Sequence, residues 1–477
     1  MKKLLFLIGG LLPIMLFAQS AYEIKVTLKP FRNQYIYLGH YFGKTYPIID
    51  SVKLNENSEG VFRGDKKLQG GIYLIGFPSK SNFFEMLVDK QQKFSILADT
   101  TIAGNGVKFV NSPDNTLFST YQQFVGEKGS AIFSLKEGLK NAKTKADTTA
   151  IVDKISVLDE EMNKYREQLI AKNPEALLTT YLIAMREPTL TGVYKNPVTK
   201  EDSTNAFNFY KSKFWEGVNF WDGRLAYTTF FEDKLDKYFQ QLVAPNPDTI
   251  IKEIDKMMSF ATINEEMTRF LLVKFINRYY NQKYMWEDAI FVHLFEKYFA
   301  NKKYSWLSEA GKKNITERAY SLMANIFGSP ASEVQLPDST GKIKSLYSTE
   351  APYTLVVFWD PMCGHCKETL PRIDSIYRAK WKAENLKIFA VAKENEGTPT
   401  DWKKFISEKK LEGWVHVYYS KAAEKSRVDG NLPGYSQLYD VQQFPTLYLL
   451  DKDKRIVAKK LSFDQIDEIL QLKKKGL

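Results

Sequence analysis

Two cysteines, Cys363 and Cys366, are the residues best suited to chemistry in this 477-residue chain, which has no others. They enclose a glycine and a histidine and follow an apolar run at residues 354–359 that is typical of a buried strand. A helical apolar pattern begins directly after them. The first turn of a helix offers free N–H groups and the positive end of the dipole, and both stabilise a thiolate. We therefore expect Cys363, at or beside the N-cap, to be the nucleophile and Cys366, one turn in and more buried, to be the resolving thiol.

His365 lies between the cysteines and is placed to tune them. A free cysteine with a pKa of about 8.5 is only a few per cent ionised at pH 7, and lowering that pKa by about two units, worth about 2.7 kcal/mol, makes the thiolate the main species. An imidazole can add positive charge or donate to the sulfur. Because stabilising the reduced form raises the reduction potential, His365 predicts a moderately oxidising couple. The predicted catalytic residues are thus Cys363, His365 and Cys366, with the cysteines as a redox-active disulfide.

Other interpretations of the cysteine pair are weaker. A structural zinc site needs about four ligands, and the whole chain has two cysteines and four histidines, so we predict no metal. A purely structural disulfide across so short a loop would stabilise little, because the gain grows with loop length. Two inert core thiols would be out of place at a helix start. Thiol–disulfide exchange requires no organic cofactor, and we predict none.

The N-terminal residues have the pattern of a secretory signal peptide. Lys2 and Lys3 precede an apolar run at residues 4–17, and the small residue Ala18 follows. The run is shorter than the roughly 20 residues that span a bilayer comfortably, so we expect cleavage after Ala18 in preference to an uncleaved anchor. No transmembrane segment is then expected in the mature chain. The predicted location is the periplasm or cell envelope, an oxidising compartment.

The period of the apolar residues divides the rest of the chain into three regions. Residues 19–111 alternate apolar and polar side chains and predict an antiparallel β domain. Residues 112–328 show the spacing of helices and predict an all-α domain. Residues 329–477 alternate strands with helices and predict an α/β domain. We expect a multidomain chain with the signal peptide at residues 1–18.

Composition and charge exclude several classes of protein. Hydrophobic residues make up 44% of the chain, which is enough for packed cores and excludes a largely disordered protein. The net charge is +11, but the basic residues are dispersed apart from Lys473, Lys474 and Lys475. A dispersed basic surface does not favour nucleic-acid binding, and we predict no nucleic-acid partner.

The α/β region resembles thioredoxin at three places. Residues 358–367 read Phe-Trp-Asp-Pro-Met-Cys-Gly-His-Cys-Lys, Pro371 resembles the helix proline of that family, and residues 444–446 read Phe-Pro-Thr like its cis-proline segment. The resemblance implies a thioredoxin fold in which Pro445 packs against the active-site disulfide. It also implies that the backbone of Phe444 holds substrate, so that both are substrate-binding residues. An extra strand and turn at residues 331–341 resemble the exported TlpA/ResA-like branch.

The sequence departs from the family at two positions. Many thioredoxins have a buried aspartate where this chain has Val357, and many TlpA-like proteins have a glutamate where it has Thr369. Both usual proton acceptors are therefore replaced. The group that deprotonates Cys366 stays open, with His365 and water as candidates.

These observations favour an exported protein thiol–disulfide oxidoreductase. Its partners would be proteins with thiols or disulfides and an upstream redox partner, and the TlpA-like resemblance implies a link to cytochrome c biogenesis. One alternative is a partner-binding or scaffolding protein in which the thioredoxin module is accessory, because the upstream regions resemble uncharacterised domains found before such modules. A peroxidase of the peroxiredoxin type is a second alternative, which the close cysteine pair disfavours.

Overall fold

The computed structural model describes residues 20–102 and 106–475, and the predicted signal peptide at residues 1–18 lies outside them. The chain divides into two compact units, Met1–Val243 with Lys256–Phe270 and Ala244–Asp255 with Leu271–Leu477. The predicted boundary at residue 111 falls between the last strand of the β region and the first helix. The division into three domains stays a prediction.

The β region forms two four-stranded sheets, ordered β4-β1-β7-β8 and β3-β2-β5-β6. The strands are β1 (Tyr22–Lys29), β2 (Tyr35–His40), β3 (Ile48–Lys53), β4 (Glu59–Gly64), β5 (Gly71–Gly76), β6 (Phe83–Val88), β7 (Lys93–Asp99) and β8 (Val107–Val110). Ile24, Val26 and Leu28 of β1 are buried and alternate with more exposed residues, as the period-two pattern predicts. The antiparallel prediction is confirmed with one refinement, since β1 and β7 pair in parallel.

Helices follow without a strand until Met323, which confirms the helical region. They are α1 (Pro113–Lys140), α2 (Lys145–Lys172), α3 (Leu177–Met185), α4 (Lys200–Lys213), α5 (Phe230–Gln241), α6 (Pro247–Ala261), α7 (Glu265–Tyr280), α8 (Asp288–Leu294) and α9 (Glu309–Met323). Ser308 caps α9 by accepting a hydrogen bond from the Gly311 N–H, and Ile315, Ala319 and Leu322 form its buried stripe. No helix within the described residues is long and apolar enough to cross a membrane.

The α/β region is built on a five-stranded sheet in the order β13-β12-β11-β14-β15. Its strands, with the small pair β9 and β10, are β9 (Gln335–Pro337), β10 (Ile343–Ser345), β11 (Tyr353–Trp359), β12 (Lys387–Lys393), β13 (Val415–Tyr419), β14 (Thr446–Asp451) and β15 (Ile456–Lys459). Its helices are α10 (Gly364–Ile376), α11 (Pro399–Glu408), α12 (Lys421–Asp429), α13 (Tyr435–Leu438) and α14 (Phe463–Lys474). β11 pairs in parallel with β12 and antiparallel with β14, so the sheet is mixed as in a thioredoxin fold.

The central strand β11 is buried on both faces. Val357 and Trp359 point into one core cluster together with Cys366, while Val356 and Phe358 point into the cluster on the opposite face. Burial on both faces explains why residues 354–359 are apolar without interruption. It also fixes the strand along its axis, because a shift of one residue would exchange every side chain between the two cores. The strand therefore ends at a defined point, immediately before the cysteine motif.

Candidate active site

Cys363 is the N-cap residue of α10 and is partly exposed. Its side chain makes no capping hydrogen bond to the helix N–H groups. Its Sγ atom instead donates to the carbonyl oxygen of Phe444 at 3.5 Å. The sequence predicts the position at the helix start, and the structure adds that the thiol faces the loop before β14. A partly exposed sulfur at the positive end of a helix is placed to act as a nucleophile.

Cys366 lies one turn into α10 and is fully buried. Burial raises the pKa of its thiol well above the ordinary value, and a hydrogen bond with Cys363 and the negative charge of Asp360 act in the same direction. A backbone hydrogen bond from Asp360 opposes them. Both cysteines are free thiols in this structure. The pair therefore combines one accessible sulfur with one that only its neighbour can reach.

The loop before β14 supplies the two predicted substrate-binding residues. The peptide bond between Phe444 and Pro445 is cis. The side chain of Phe444 is partly buried and packs against both core clusters of the sheet, which leaves its carbonyl oxygen directed at Cys363. Thr446 Oγ1 donates to the carbonyl oxygen of Gln443 at 2.6 Å and closes the loop on itself. The structure thus brings Phe444 to Cys363, with Pro445 next in the chain.

Asp360 is a site residue that the sequence analysis missed. It directly follows β11, is almost fully buried, and its carboxylate accepts hydrogen bonds from the N–H groups of Met362 at 2.6 Å and Glu396 at 2.8 Å. The N–H of Gly397 lies 3.5 Å from the same carboxylate. Its backbone oxygen accepts from the Cys363 N–H at 3.1 Å. An acidic residue between an apolar strand and a cysteine motif was the signal that could have found it.

Gly397 shows how tightly the segment after β12 approaches the cysteine motif. A Cβ atom on Gly397 would lie 2.3 Å from Cγ of Pro361 and 3.0 Å from Oδ1 of Asp360. At distances this short, the Pro361 ring or the neighbouring chain would have to move before residue 397 could carry a side chain. Asp360 and Gly397 together fix the path of the chain into Cys363.

His365 and the two positions that depart from the thioredoxin pattern have different surroundings. The His365 ring is exposed, and within the described residues it makes no hydrogen bond or ion pair. Val357 is fully buried and lies opposite Leu447 in β14. Thr369 lines the groove beside Pro445. Asp360 is therefore the carboxylate whose charge acts on the Cys366 thiol, although it stands at neither of the two family positions.

A groove of about 540 Å³ lies beside Pro445. Its lining is mostly polar and comes from α10, the loop before β14 and the start of α14: Thr369, Arg372, Asp440, Gln442, Gln443, Pro445, Thr446, Leu447, Lys460, Leu461, Ser462, Phe463 and Asp464. The guanidinium of Arg372 lies 4.9 Å from the centre of the Phe463 ring. The described residues contain no group of three His, Cys, Asp or Glu side chains that could hold a metal ion.

Two protein-family models match parts of the chain. Residues 352–456 match the thioredoxin-like family, and residues 143–325 match a domain of unknown function, DUF5106. The first match covers β11 to the start of β15 and includes both cysteines. No curated protein matches the chain.

Three solved structures illustrate the similarity. A thioredoxin-like protein from Bacteroides caccae is 22% identical, with 60% of this chain and 98% of that chain covered and a TM-score of 0.44. A domain of possible thiol-disulfide isomerase from Cytophaga hutchinsonii is 31% identical, with 31% and 94% covered and a TM-score of 0.27. A thiol:disulfide interchange protein from a Bacteroides species is 30% identical, with 32% and 91% covered and a TM-score of 0.27.

Proposed function

Because residues 352–456 belong to the thioredoxin-like family, we propose that this chain exchanges protein thiols and disulfides through Cys363 and Cys366. The observation that carries the proposal is the contrast between the two sulfurs. Cys363 is partly exposed at a helix start and faces the Phe444 carbonyl, while Cys366 is buried behind it. The Cys363 sulfur can react with a partner protein, whereas the Cys366 sulfur can react only with the Cys363 sulfur.

In the reductive direction the exchange proceeds in two steps. The Cys363 thiolate attacks one sulfur of the substrate disulfide, a mixed disulfide forms, and the other substrate sulfur leaves as a thiolate that takes a proton. Cys366 then loses its proton and attacks the Cys363 sulfur, which closes the internal disulfide and releases the second substrate thiol. The substrate gains two electrons from the protein, and its two new thiols take up two protons, which balance the one that Cys363 released to solvent when its thiolate formed and the one that Cys366 loses in the second step. A dithiol partner restores the reduced pair by the same steps in reverse.

We further propose that the protein is exported and works in the periplasm or cell envelope. The support is the sequence pattern of Lys2, Lys3 and the apolar run at residues 4–17. An upstream redox partner would then reset the couple, and apocytochrome c or another oxidoreductase would be its substrate, as the TlpA-like resemblance implies. The reduction potential decides the direction, because about −270 mV is typical of a reductant and about −120 to −180 mV of an oxidant or isomerase.

Insulin reduction in the presence of a small thiol reductant tests the proposal. We expect the wild-type protein to turn over and the Cys363→Ser variant to be inactive. Cys366→Ser is the matched control, because it retains the nucleophile and, when the pre-reduced variant is mixed with insulin without the small thiol, should accumulate a mixed disulfide that Cys363→Ser cannot form. A wild-type protein without turnover would overturn the proposal.

A partner-binding role remains the second candidate, because residues 143–325 match a domain of unknown function outside the thioredoxin-like match. In that case the wild-type protein and Cys363→Ser would capture the same partner with equal affinity, and neither would reduce insulin.

A further inference from the structure

Asp440 anchors the loop that leads to Pro445. Its side chain is almost fully buried, and its carboxylate accepts hydrogen bonds from Arg318 Nη1 at 2.6 Å, Ser321 Oγ at 3.1 Å and Gln442 Nε2 at 2.9 Å. Lys460 forms an ion pair with the same carboxylate. Two cations, a hydroxyl and an amide thus hold one acidic side chain five residues before the predicted substrate-binding proline.

The backbone of Asp440 needs this support. Its φ angle is +43°, in the left-handed region that residues other than glycine seldom adopt. Such a conformation persists where surrounding contacts fix it. The contacts of its carboxylate supply that constraint, and they hold the chain between Tyr439 and Phe444 in one path.

Arg318 is itself fixed in place by its own neighbours. It lies on α9, and its side chain is only 10% exposed. Its Nε donates to the carbonyl oxygen of Tyr280 at 3.2 Å, and its Nη2 donates to Gln282 Oε1 at 2.6 Å. Each of the three guanidinium nitrogens of Arg318 therefore donates to a different acceptor, and one of these acceptors is Asp440. This fork has a single orientation, which a lysine could not reproduce.

Further contacts from α9 and the residues after it reach the same part of the sheet. Asn325 Nδ2 donates to the carbonyl oxygen of Leu438 at 3.0 Å, just before the loop. Lys459, at the end of β15, donates to Asn325 O at 2.6 Å and to Asn325 Oδ1 at 2.8 Å. Ser321 Oγ lies 3.4 Å from the carbonyl oxygen of Gln437. Contacts from α9 and Asn325 thus reach α13 and β15 on either side of the loop, although these residues precede the match to the thioredoxin-like family.

We propose that Arg318 is a positioning residue of thiol–disulfide exchange: through Asp440 it holds the loop that carries the Phe444 carbonyl against Cys363. The proposal rests on the exchange function proposed above. It connects α9 to the groove beside Pro445, because Asp440 and Lys460 line that groove. If a protein substrate binds this loop, as the thioredoxin resemblance implies, loosening the loop weakens substrate binding, while both cysteines keep their positions at the start of α10.

The test is the Arg318→Gln variant in the full chain, with Arg278→Gln as the matched control. Arg278 forms an ion pair with the buried Glu287, at 2.7 Å between Nη2 and Oε1, next to the segment that carries Tyr280 and Gln282, so its loss tests whether any disturbance beside Arg318 is enough to alter the loop. We expect Arg318→Gln to lower kcat/KM for insulin about tenfold, mainly through KM. The reduction potential and the rate of Cys363 alkylation should match the wild type. Arg278→Gln should keep kcat/KM within about twofold of the wild type, even if its thermal stability falls equally.

Hydrogen exchange of the loop provides a readout that does not depend on activity. The N–H of Val441 donates to the carbonyl oxygen of Ser436 at 2.8 Å, and we expect its protection to fall in Arg318→Gln and to persist in Arg278→Gln. Wild-type KM in Arg318→Gln, or equal losses in both variants, would overturn the inference. If the wild-type protein failed to reduce insulin, the proposed function would fall, while unchanged exchange of Val441 would separately show that Arg318 does not hold the loop.

Discussion

The Sγ atom of Cys363 lies 3.5 Å from the carbonyl oxygen of Phe444, although 81 positions separate the two residues in the chain. One comes from the start of α10 and the other from the loop before β14. The thioredoxin resemblance assigns the Phe444 backbone to substrate binding. A peptide bound to this loop would therefore present its disulfide within reach of the Cys363 sulfur.

Alkylation should distinguish the two cysteines in the folded protein. Cys366 is fully buried and the pKa of its thiol is raised, chiefly by burial, whereas Cys363 is partly exposed. We expect iodoacetamide at pH 7 to modify Cys363 and to leave Cys366 intact, as measured by peptide mass spectrometry. The same reagent in urea should modify both. Comparable labelling of Cys366 in the native protein would contradict the assignment of roles.

Replacement of Asp360 by asparagine should change both stability and the buried thiol. The amide has one acceptor oxygen where the carboxylate has two, so the N–H of Met362 or of Glu396 loses its charged acceptor, at a cost of about 1–3 kcal/mol in the free energy of unfolding. Burial is the largest cause of the raised pKa of Cys366, and the charge of Asp360 adds to it. Asp360→Asn should therefore lower that pKa, as followed by the ultraviolet absorbance of the thiolate in a Cys363→Ser background.

Asp338→Asn is a suitable control for this experiment. Asp338 also accepts hydrogen bonds from two backbone N–H groups, those of Thr340 and Lys342, but in the turn after β9. We expect it to leave the titration of Cys366 unchanged. A Cys366 titration that is the same in Asp360→Asn as in its parent would refute the electrostatic role of Asp360.

His365→Pro should make the couple more reducing. The ring is exposed beside the helix start, and its removal takes away a group that can stabilise the thiolate form. We expect the reduction potential to fall by about 30 mV or more, equivalent to about 1.4 kcal/mol, as measured by equilibration with glutathione. An unchanged or higher potential would show that His365 does not tune the pair.

Lys234 should make the free energy of unfolding depend on pH. Its ammonium is buried and donates to the carbonyl oxygens of Ala184 at 2.9 Å and Arg186 at 2.6 Å. Burial lowers its pKa from 10.5 to about 8, with Glu187 opposing and Lys237 adding to the shift. Between these two values the unfolded chain binds more protons than the folded one. The contribution of Lys234 to stability is therefore complete above pH 10.5 and is lost as the pH falls through 8.

Comparison with Lys234→Met isolates this effect. The stability of the wild type relative to the variant should rise by about 3 kcal/mol from pH 8 to pH 10.5, as measured by urea unfolding. A difference that is independent of pH would contradict the assignment.

The sequence was most informative where a local pattern carries the structure. The apolar run before Cys363 and the helical pattern after it were enough to predict a strand, a helix start and the different burial of the two cysteines. The thioredoxin-like match confirms the resemblance that was based on those residues. Strands with few fully buried residues escaped prediction, and β3 is an example because most of its side chains are exposed.

What escaped prediction depends on contacts between distant parts of the chain. Asp360 accepts from Glu396, 36 positions later, and Arg318 donates to Asp440, 122 positions later. No spacing rule relates such residues. The place of Asp360 between an apolar strand and the cysteine motif marks it as a candidate, but its hydrogen-bond partners, and both the burial and the partners of Asp440, are shown only by the packing of the loops.

The hydrogen bonds that Arg318 and Asn325 make with the α/β region limit where the chain can be truncated without losing contacts of that region. A recombinant fragment that starts at residue 329 would retain Asp440 and Lys459 but would delete their partners on the helical side, among them Arg318, Ser321 and Asn325. Truncation at residue 352, where the family match begins, would also remove β9 and β10. Expression trials of an isolated redox module should therefore begin upstream of α7, which carries the Tyr280 acceptor of Arg318. Poor activity of a shorter fragment would then reflect the loss of these helical contacts and not the chemistry of the cysteines.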